Sequence, residues 1–427
     1  MSEDSVFPRR WATAFILTIA LFFLWGVANN LNDILIAHFK VVFTLSDLGA
    51  GLIQSAFYLG YFCLAIPAAV FMRARGYRAA VILGLGLYGV GALLFWPAAA
   101  TLSYPFFLCA LFVIAAGLAF LETSANPLVA RLGPEGSASL RLSFAQAFNP
   151  LGSIAGVLIG RRFILAESTV PAPLSSAVEA TQRATQAASV QMPYLLIGLG
   201  VIAWAILIRL TPFPAVATDA DAIEDSAAAA AFGSVIRTPR VMFGVAAQFF
   251  YVGAQVGVWS FLIRYAEIAL PGTAARTGAT YLTISLVLFM VGRFIGAALM
   301  TRVRPLALLT LFAAIDAALC AFATFVHGVP GVTALVVSSF FMSIMYPTIF
   351  AESVAGLGDR TKPASALLVM AIIGGAIFPA LMGFVSDRSG SIVNAMLVPA
   401  LCFAMVFAFG AVNRRGLAEV VNGAAKQ

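Results

Sequence analysis

Long apolar runs, each closed by a charge, a proline or a glycine, recur along the whole chain. A hydrocarbon core about 30 Å thick needs roughly 20 residues of apolar helix. Twelve runs meet that requirement, at 12–37, 48–72, 79–99, 103–131, 141–165, 193–211, 241–266, 277–300, 305–326, 330–356, 363–386 and 392–413. The pattern therefore predicts an all-α membrane protein with 12 transmembrane helices. Between the sixth and seventh runs lies a polar stretch with Asp219, Asp221, Glu224, Asp225 and alanines from Ala227 to Ala231. It reads as a cytoplasmic linker carrying a short surface helix. The expected organisation is a six-helix bundle over 1–211, a linker over 212–240 and a second six-helix bundle over 241–427. Pro127 in span four and Pro347 in span ten, and glycines followed by terminal charges in spans five and eleven, make the halves weakly alike. Such internal similarity favours a transporter whose substrate site lies between the halves near the midplane.

Composition removes the soluble alternatives. Hydrophobic residues make up 62% of the 427 and charged residues 10%, against roughly 45–50% and about 25% in soluble chains. The net charge of +7 brings no basic run or basic aromatic module, so nucleic acid is not an expected partner. Most of the 25 lysines and arginines fall in loops that a single orientation makes cytoplasmic. That orientation predicts a multi-pass inner-membrane protein with both termini in the cytoplasm. Arg9 and Arg10 before an apolar run imitate a signal peptide, but the run is too long and lacks a small-residue cleavage site. Cys63, Cys109, Cys320 and Cys402 lie in apolar stretches without metal spacing, and the histidines are only His38 and His327. No disulfide framework, zinc site or histidine-based catalysis follows, and the chain reads as a non-enzyme without a cofactor. A sensor is disfavoured because the longest cytoplasmic segment falls well short of an output domain.

Glycines supply one decoy and two packing signals. Gly84, Gly86 and Gly89 spell GxGxxG inside an apolar span, where the strand and helix of a dinucleotide site are missing. Gly152, Gly156 and Gly160, and likewise Gly292 and Gly296, recur every four residues. Each set lines one helix face for close approach of another helix, either as static packing or as a sliding contact.

Polar residues inside the spans carry the chemistry. The first span holds Asn29, Asn30, Asn32 and Asp33, and span four holds Glu122, Thr123, Ser124 and Asn126. A carboxylate at the bilayer centre costs about 2.5–3.5 kcal/mol even on insertion scales, so such groups face protein or water and are functional by default. Glu122 is thus a candidate proton carrier. Gln146 and Asn149, three apart, share a helix face in span five. In span seven Gln248, Tyr251, Gln255 and Trp259 recur at intervals of three, four and four. Amides that bond hydroxyls, with aromatic faces for the C–H side, suit a neutral polyhydroxylated ligand. Arg293 and Glu352 lie toward cytoplasmic span ends, where snorkelling or a gate ion pair accounts for them. Asp316, deep in span nine, has no assigned role.

The stretches FFLWGVANNLNDIL at 22–35, GLIQSAFYLGYF at 51–62, GLAFLETSANP at 117–127 and LGPE at 132–135 resemble the L-fucose/proton symporter family of the major facilitator superfamily. So do FAQAFN at 144–149, AQFFYVGAQVGVWSFLIRYA at 247–266, MSIMYPTIF at 342–350 and IIGGAIFPALMGFVSD at 372–387. The resemblance spans about 15–410. It implies the major facilitator fold, alternating access and proton-coupled uptake of a monosaccharide by a monomer embedded in lipid. It also implies proton coupling at Asp33 and Glu122. The implied sugar contacts are Asn30, Asp33, Glu122, Gln146 and Asn149, joined by Tyr346 and the span-seven residues. Met345 stands where a polar residue is expected before Tyr346, a departure that bears on sugar choice. L-fucose or a related hexose is the expected substrate; a glucose/galactose or N-acetylglucosamine carrier, with sodium as coupling ion, is the alternative.

Overall fold

The computed structural model describes residues 11–43, 47–159, 185–218, 232–271 and 275–424. Among them the regular structure is helical, with no strand. The helices are α1 (Ala12–Val42), α2 (Asp47–Leu93), α3 (Phe95–Ala100), α4 (Tyr104–Arg131), α5 (Ala138–Gln146), α6 (Phe148–Ile159) and α7 (Gln191–Leu210). They continue with α8 (Pro239–Ala269), α9 (Ala275–Leu299), α10 (Pro305–Phe325), α11 (Val329–Met342) and α12 (Met345–Val354). The last are α13 (Thr361–Met370), α14 (Gly374–Ser389) and α15 (Leu397–Ala424). In hydrocarbon every backbone N–H and C=O must bond within the protein, and helices do this locally.

Among the described residues, ten helical segments are long and apolar enough to cross a membrane. One of them, Ala56–Ala100, holds two crossings, because Gly76 interrupts α2 at φ 79°, ψ 167°. Side chains rarely adopt that backbone, so glycine permits the reversal there. Another crossing is the α5–α6 pair, tightened at Ala147 rather than running as one uninterrupted helix. Counted in this way, the described residues accommodate the expected 12. Pro67 and Pro127 sit inside α2 and α4. The chain is a multi-pass membrane protein.

Two compact units emerge. One comprises Pro8–Leu128 and Phe148–Ile223, the other Met1–Phe7, Val129–Ala147 and Glu224–Gln427. Thus α6 groups with α1 to α3 and α7, while α5 groups with α8 to α15, and α4 changes unit in its last turn. In the first unit α1 packs on α6 with their backbones in contact. A methyl added at Gly26 would overlap the Asn149 carbonyl oxygen, and one at Gly152 the Phe23 carbonyl oxygen. A methyl at Gly156 would lie 2.8 Å from the Val27 oxygen. The Arg78 guanidinium donates to the carbonyls of Ile208 and Arg209, capping the end of α7. The Phe95 and Tyr194 rings stack at 3.8 Å.

In the second unit α10 packs along α15, and α8 along α14 and α15. Arg141 is fully buried. Its Nε donates to the Val129 carbonyl, one terminal nitrogen to Ala130, and the other to Pro134 and the Ser137 hydroxyl. These acceptors include carbonyls that the end of α4 leaves without helical donors. Of the expected linker, 219–231 lies outside the described residues; Ala215–Thr218 forms a short helix before it. Gly160 and most of the loop expected at 166–191 also lie outside them.

Candidate functional site

Glu122 sits in α4 with 2% of its surface exposed, and its neighbours Thr123, Ser124 and Asn126 are fully buried. The Ser124 hydroxyl bonds back to the Phe120 carbonyl at 2.6 Å, which quiets one polar group of the run without an outside partner. Glu122 is close enough to Tyr61 of α2 to interact with it electrostatically. Trp25 of α1 donates its indole N–H to the Tyr61 oxygen at 2.8 Å. The Trp25 ring stacks with Phe22 at 5.7 Å, and the Asn149 amide of α6 donates to the Phe22 carbonyl at 3.2 Å. A chain of contacts from α4 through α2 and α1 to α6 therefore joins Glu122 to Asn149. Asn30 and Asp33 belong to α1, but their side chains lie outside the described residues.

In the second unit the organising side chain is Arg293. Pro347 has no N–H, so the Ser343 carbonyl, four residues earlier, lacks its helical donor and the chain breaks between α11 and α12. Gly292 and Gly296 let α9 approach this break: a methyl at Gly292 would overlap the Phe340 carbonyl and crowd the Ser343 hydroxyl. Arg293 then reaches the vacant acceptor, its Nε donating to the Ser343 carbonyl at 2.7 Å. Its Nη1 donates to the Gln146 backbone carbonyl at 3.0 Å and to the Gln146 Oε1 at 3.4 Å. The guanidinium lies over the Phe289 ring, 4.5 Å from its centre.

The aromatic residues expected from span seven gather around the same group. Tyr251 donates to the Met342 carbonyl at 2.9 Å, beside the same break, and its ring meets Tyr346 edge-on at 6.4 Å. Both tyrosines are within electrostatic reach of Arg293. Trp259 meets Phe289 edge-on at 5.0 Å and donates to the Ser339 hydroxyl at 3.1 Å. Gln255 is half-buried along the same helix. Gln248 is fully buried, and neither its Oε1 nor its Nε2 has a hydrogen-bond partner. Gln146, Tyr251, Trp259 and Tyr346 are thus brought together through Arg293 and Phe289, whereas Gln248 is not joined to them by a hydrogen bond.

Arg293 corrects the sequence expectation. It is 4% exposed and bonds protein carbonyls, so it does not snorkel, and it forms no ion pair among the described residues. The pair Gly292 and Gly296 was the available signal, since a close helix contact on both sides of a charge turns it inward. Tyr61 was missed as well; it lies in a matched stretch but has no polar neighbour in sequence. Glu352 does take part in an ion pair: its carboxylate lies 3.7 Å from Arg240 and accepts from the Ser139 hydroxyl at 3.2 Å. Asp316 is fully buried in α10, with neither carboxyl oxygen hydrogen-bonded, and lies within electrostatic reach of Tyr251 and Cys320.

Comparison with known proteins agrees with this architecture. Residues 11–358 match the Major Facilitator Superfamily. The L-fucose-proton symporter of Escherichia coli (strain K12) is 46% identical over 418 residues, covering 96% of this chain and 95% of that protein. The glucose/galactose transporter of Brucella abortus biovar 1 (strain 9-941) is 35% identical, covering 95% of each. A crystal structure of the major facilitator transporter FucP in the outward conformation superimposes with a TM-score of 0.87 at 46% identity, covering 95% of this chain and 99% of that one. With the fold and the membrane-buried polar groups already established, these matches identify the chain as a member of the major facilitator superfamily, in the family of the L-fucose-proton symporters.

Proposed function

We propose that this protein imports a neutral monosaccharide, L-fucose or a related hexose, together with a proton, by alternating access across the inner membrane with both termini cytoplasmic. The observation that carries this reading is Glu122, a carboxyl enclosed at 2% exposure within a 28-residue apolar helix and set beside Tyr61. A charge there opposes passage through a closed, dehydrated state, so loading with a proton must precede that passage. Glu122 and Asp33 are the proposed proton-coupling groups. Asn30, Asp33, Glu122, Gln146, Asn149, Gln248, Tyr251, Gln255, Trp259 and Tyr346 are the proposed sugar contacts. The proposed division of labour follows two six-helix bundles, 1–211 and 241–427, joined by the linker 212–240, in a monomer with a lipid-facing surface.

Amides and phenols offer donors and acceptors without net charge, which suits hydroxyls. Two relatives named L-fucose-proton symporter, 46% and 36% identical, support the choice of sugar and of coupling ion. Relatives named glucose/galactose transporter at 35% identity favour a second reading, in which the same site takes glucose or galactose.

Purified protein in proteoliposomes tests both. A pH gradient, acid outside, should drive accumulation of radiolabelled L-fucose, and unlabelled L-fucose should compete in counterflow better than glucose or galactose. Preferred counterflow of glucose would establish the second reading. Accumulation driven by a sodium gradient at clamped pH, with none from the pH gradient, would overturn proton coupling.

A further inference from the structure

We propose that Arg302, Arg304 and Arg414 form a binding site for the phosphate group of an anionic phospholipid, where α9 turns into α10 and α15 nears its C-terminal end. In the proposed orientation the lipid belongs to the cytoplasmic leaflet, but the site itself does not depend on that orientation.

The three guanidiniums line one recess of about 510 Å³, together with Val303 and Ala307. Among the described residues none of the three makes an ion pair or a side-chain hydrogen bond. Neither 296–312 nor 397–415 contains an Asp or Glu that could supply one. Arginines at other helix ends differ: Arg240 lies against Glu352, and Arg78 caps α7. Three like charges gathered without a counter-charge repel one another, and an anion among them turns that repulsion into attraction. The planar fork of arginine matches the oxygens of a phosphodiester. Ala307 places the first turn of α10 at the recess, and this helix has no side-chain cap, so its positive end adds to the field.

Charge alone fits a soluble phosphate as well as a lipid. The surface beside the recess favours the lipid. Ala307 lines the recess, while Leu311, one turn further along α10, and Phe322, three turns beyond that, are exposed on the same face. On α15, which packs along α10, Arg414 and the exposed Phe407 stand seven residues apart and so share a face. An apolar strip thus runs from the arginines along the helices. A headgroup held in the recess lays an acyl chain along that strip, whereas inorganic phosphate gains nothing from it. Basic pockets between membrane helices hold anionic headgroups on this principle.

Native mass spectrometry of the purified full-length protein tests the site. Individual binding events are titrated with phosphatidylglycerol and with phosphatidylcholine of the same acyl chains. The unaltered chain is compared with Arg302→Gln, Arg304→Gln and Arg414→Gln. The unaltered chain should take its first phosphatidylglycerol more tightly than its first phosphatidylcholine. Each substitution should weaken that phosphatidylglycerol about two- to fivefold, the upper figure being what one basic residue contributes near an anionic surface. Phosphatidylcholine should bind as before. Arg209→Gln, which removes an exposed arginine in the last turn of α7, outside the recess, should change neither lipid. All three recess arginines are exposed, so the lipid-free variants should melt within about 2 °C of the unaltered chain, and the three single variants test the site independently of one another.

Equal affinity of the unaltered chain for the two lipids would overturn the proposal. So would a loss in Arg209→Gln as large as in the recess variants, which leaves only diffuse surface charge. Displacement of the first phosphatidylglycerol by an equal concentration of inorganic phosphate would overturn the lipid as occupant and make it a soluble anion.

Discussion

The contact between α1 and α6 can be tested with one methyl group. In Gly152→Ala the new carbon would overlap the Phe23 carbonyl oxygen and lie 2.8 Å from its carbon and 3.0 Å from its Cα. Carbon pairs are most favourable at about 3.5–4.0 Å, so the helices must part by roughly 0.7 Å or more. The obstructing atoms are backbone and have no rotamer to change. Separation also loosens the reciprocal contacts at Gly26 and Gly156. Overpacking of this kind costs about 1–3 kcal/mol, which corresponds to a fall in melting temperature of about 2–8 °C. Gly86→Ala is the control: it adds the same methyl to a helix where nothing lies within 4 Å of the new carbon. Replacing glycine by alanine in a helix otherwise stabilises by up to about 1 kcal/mol. The two variants should therefore move in opposite directions when thermal unfolding is followed on purified protein in one detergent. Equal melting temperatures for Gly152→Ala and the unaltered chain would refute the backbone-contact reading and leave α1 and α6 free to slide.

Substitutions at two further positions separate chemistry from scaffold. Glu122→Gln copies the protonated acid in shape and charge; it should still exchange external for internal sugar in counterflow but fail to accumulate sugar against a gradient, and robust proton-driven accumulation would remove Glu122 as the obligatory carrier. Arg141→Ala should cost about 3 kcal/mol or more, because it deprives several buried carbonyls of their donor. Arg141→Lys, with a single ammonium in place of a fork, should recover less than half of that loss in melting temperature; full recovery would show that charge alone suffices.

The membrane makes some features of this chain easy to read and hides others. Span number follows from apolar length, which lipid imposes on sequence directly. Glu122 was legible because a carboxyl among residues 106–130 has no inexpensive reason to be there. Gly76 was not, since a reversal within α2 depends on a single positive φ that leaves no mark on hydropathy. Arg293 was misread for a related reason: sequence gives its depth, six residues from the end of α9, but not its azimuth. Its direction is decided by Gly292, Gly296 and the carbonyl that Pro347 leaves open. Gln146 and Asn149 show the limit of the shared-face argument. Spacing fixed the angle between them but not their neighbours, which are Arg293 of α9 and Phe22 of α1. In span seven the periodicity located Tyr251 and Trp259, yet it gave no sign that their donors already engage Met342 and Ser339.

The Arg141 guanidinium has a mechanical consequence. It grips the last carbonyls of α4 from α5, five residues before Gln146, and so acts as a gusset plate across the corner between the two helices. Glu122 stands seven residues, about 10 Å, before the first gripped carbonyl on the same helical axis. The bonds fall on the carbonyls on both sides of the turn, so the corner between the last turn of α4 and α5 has few backbone groups left free to rearrange. The last turn of α4 and the start of α5 thus form one braced corner over residues 129–141.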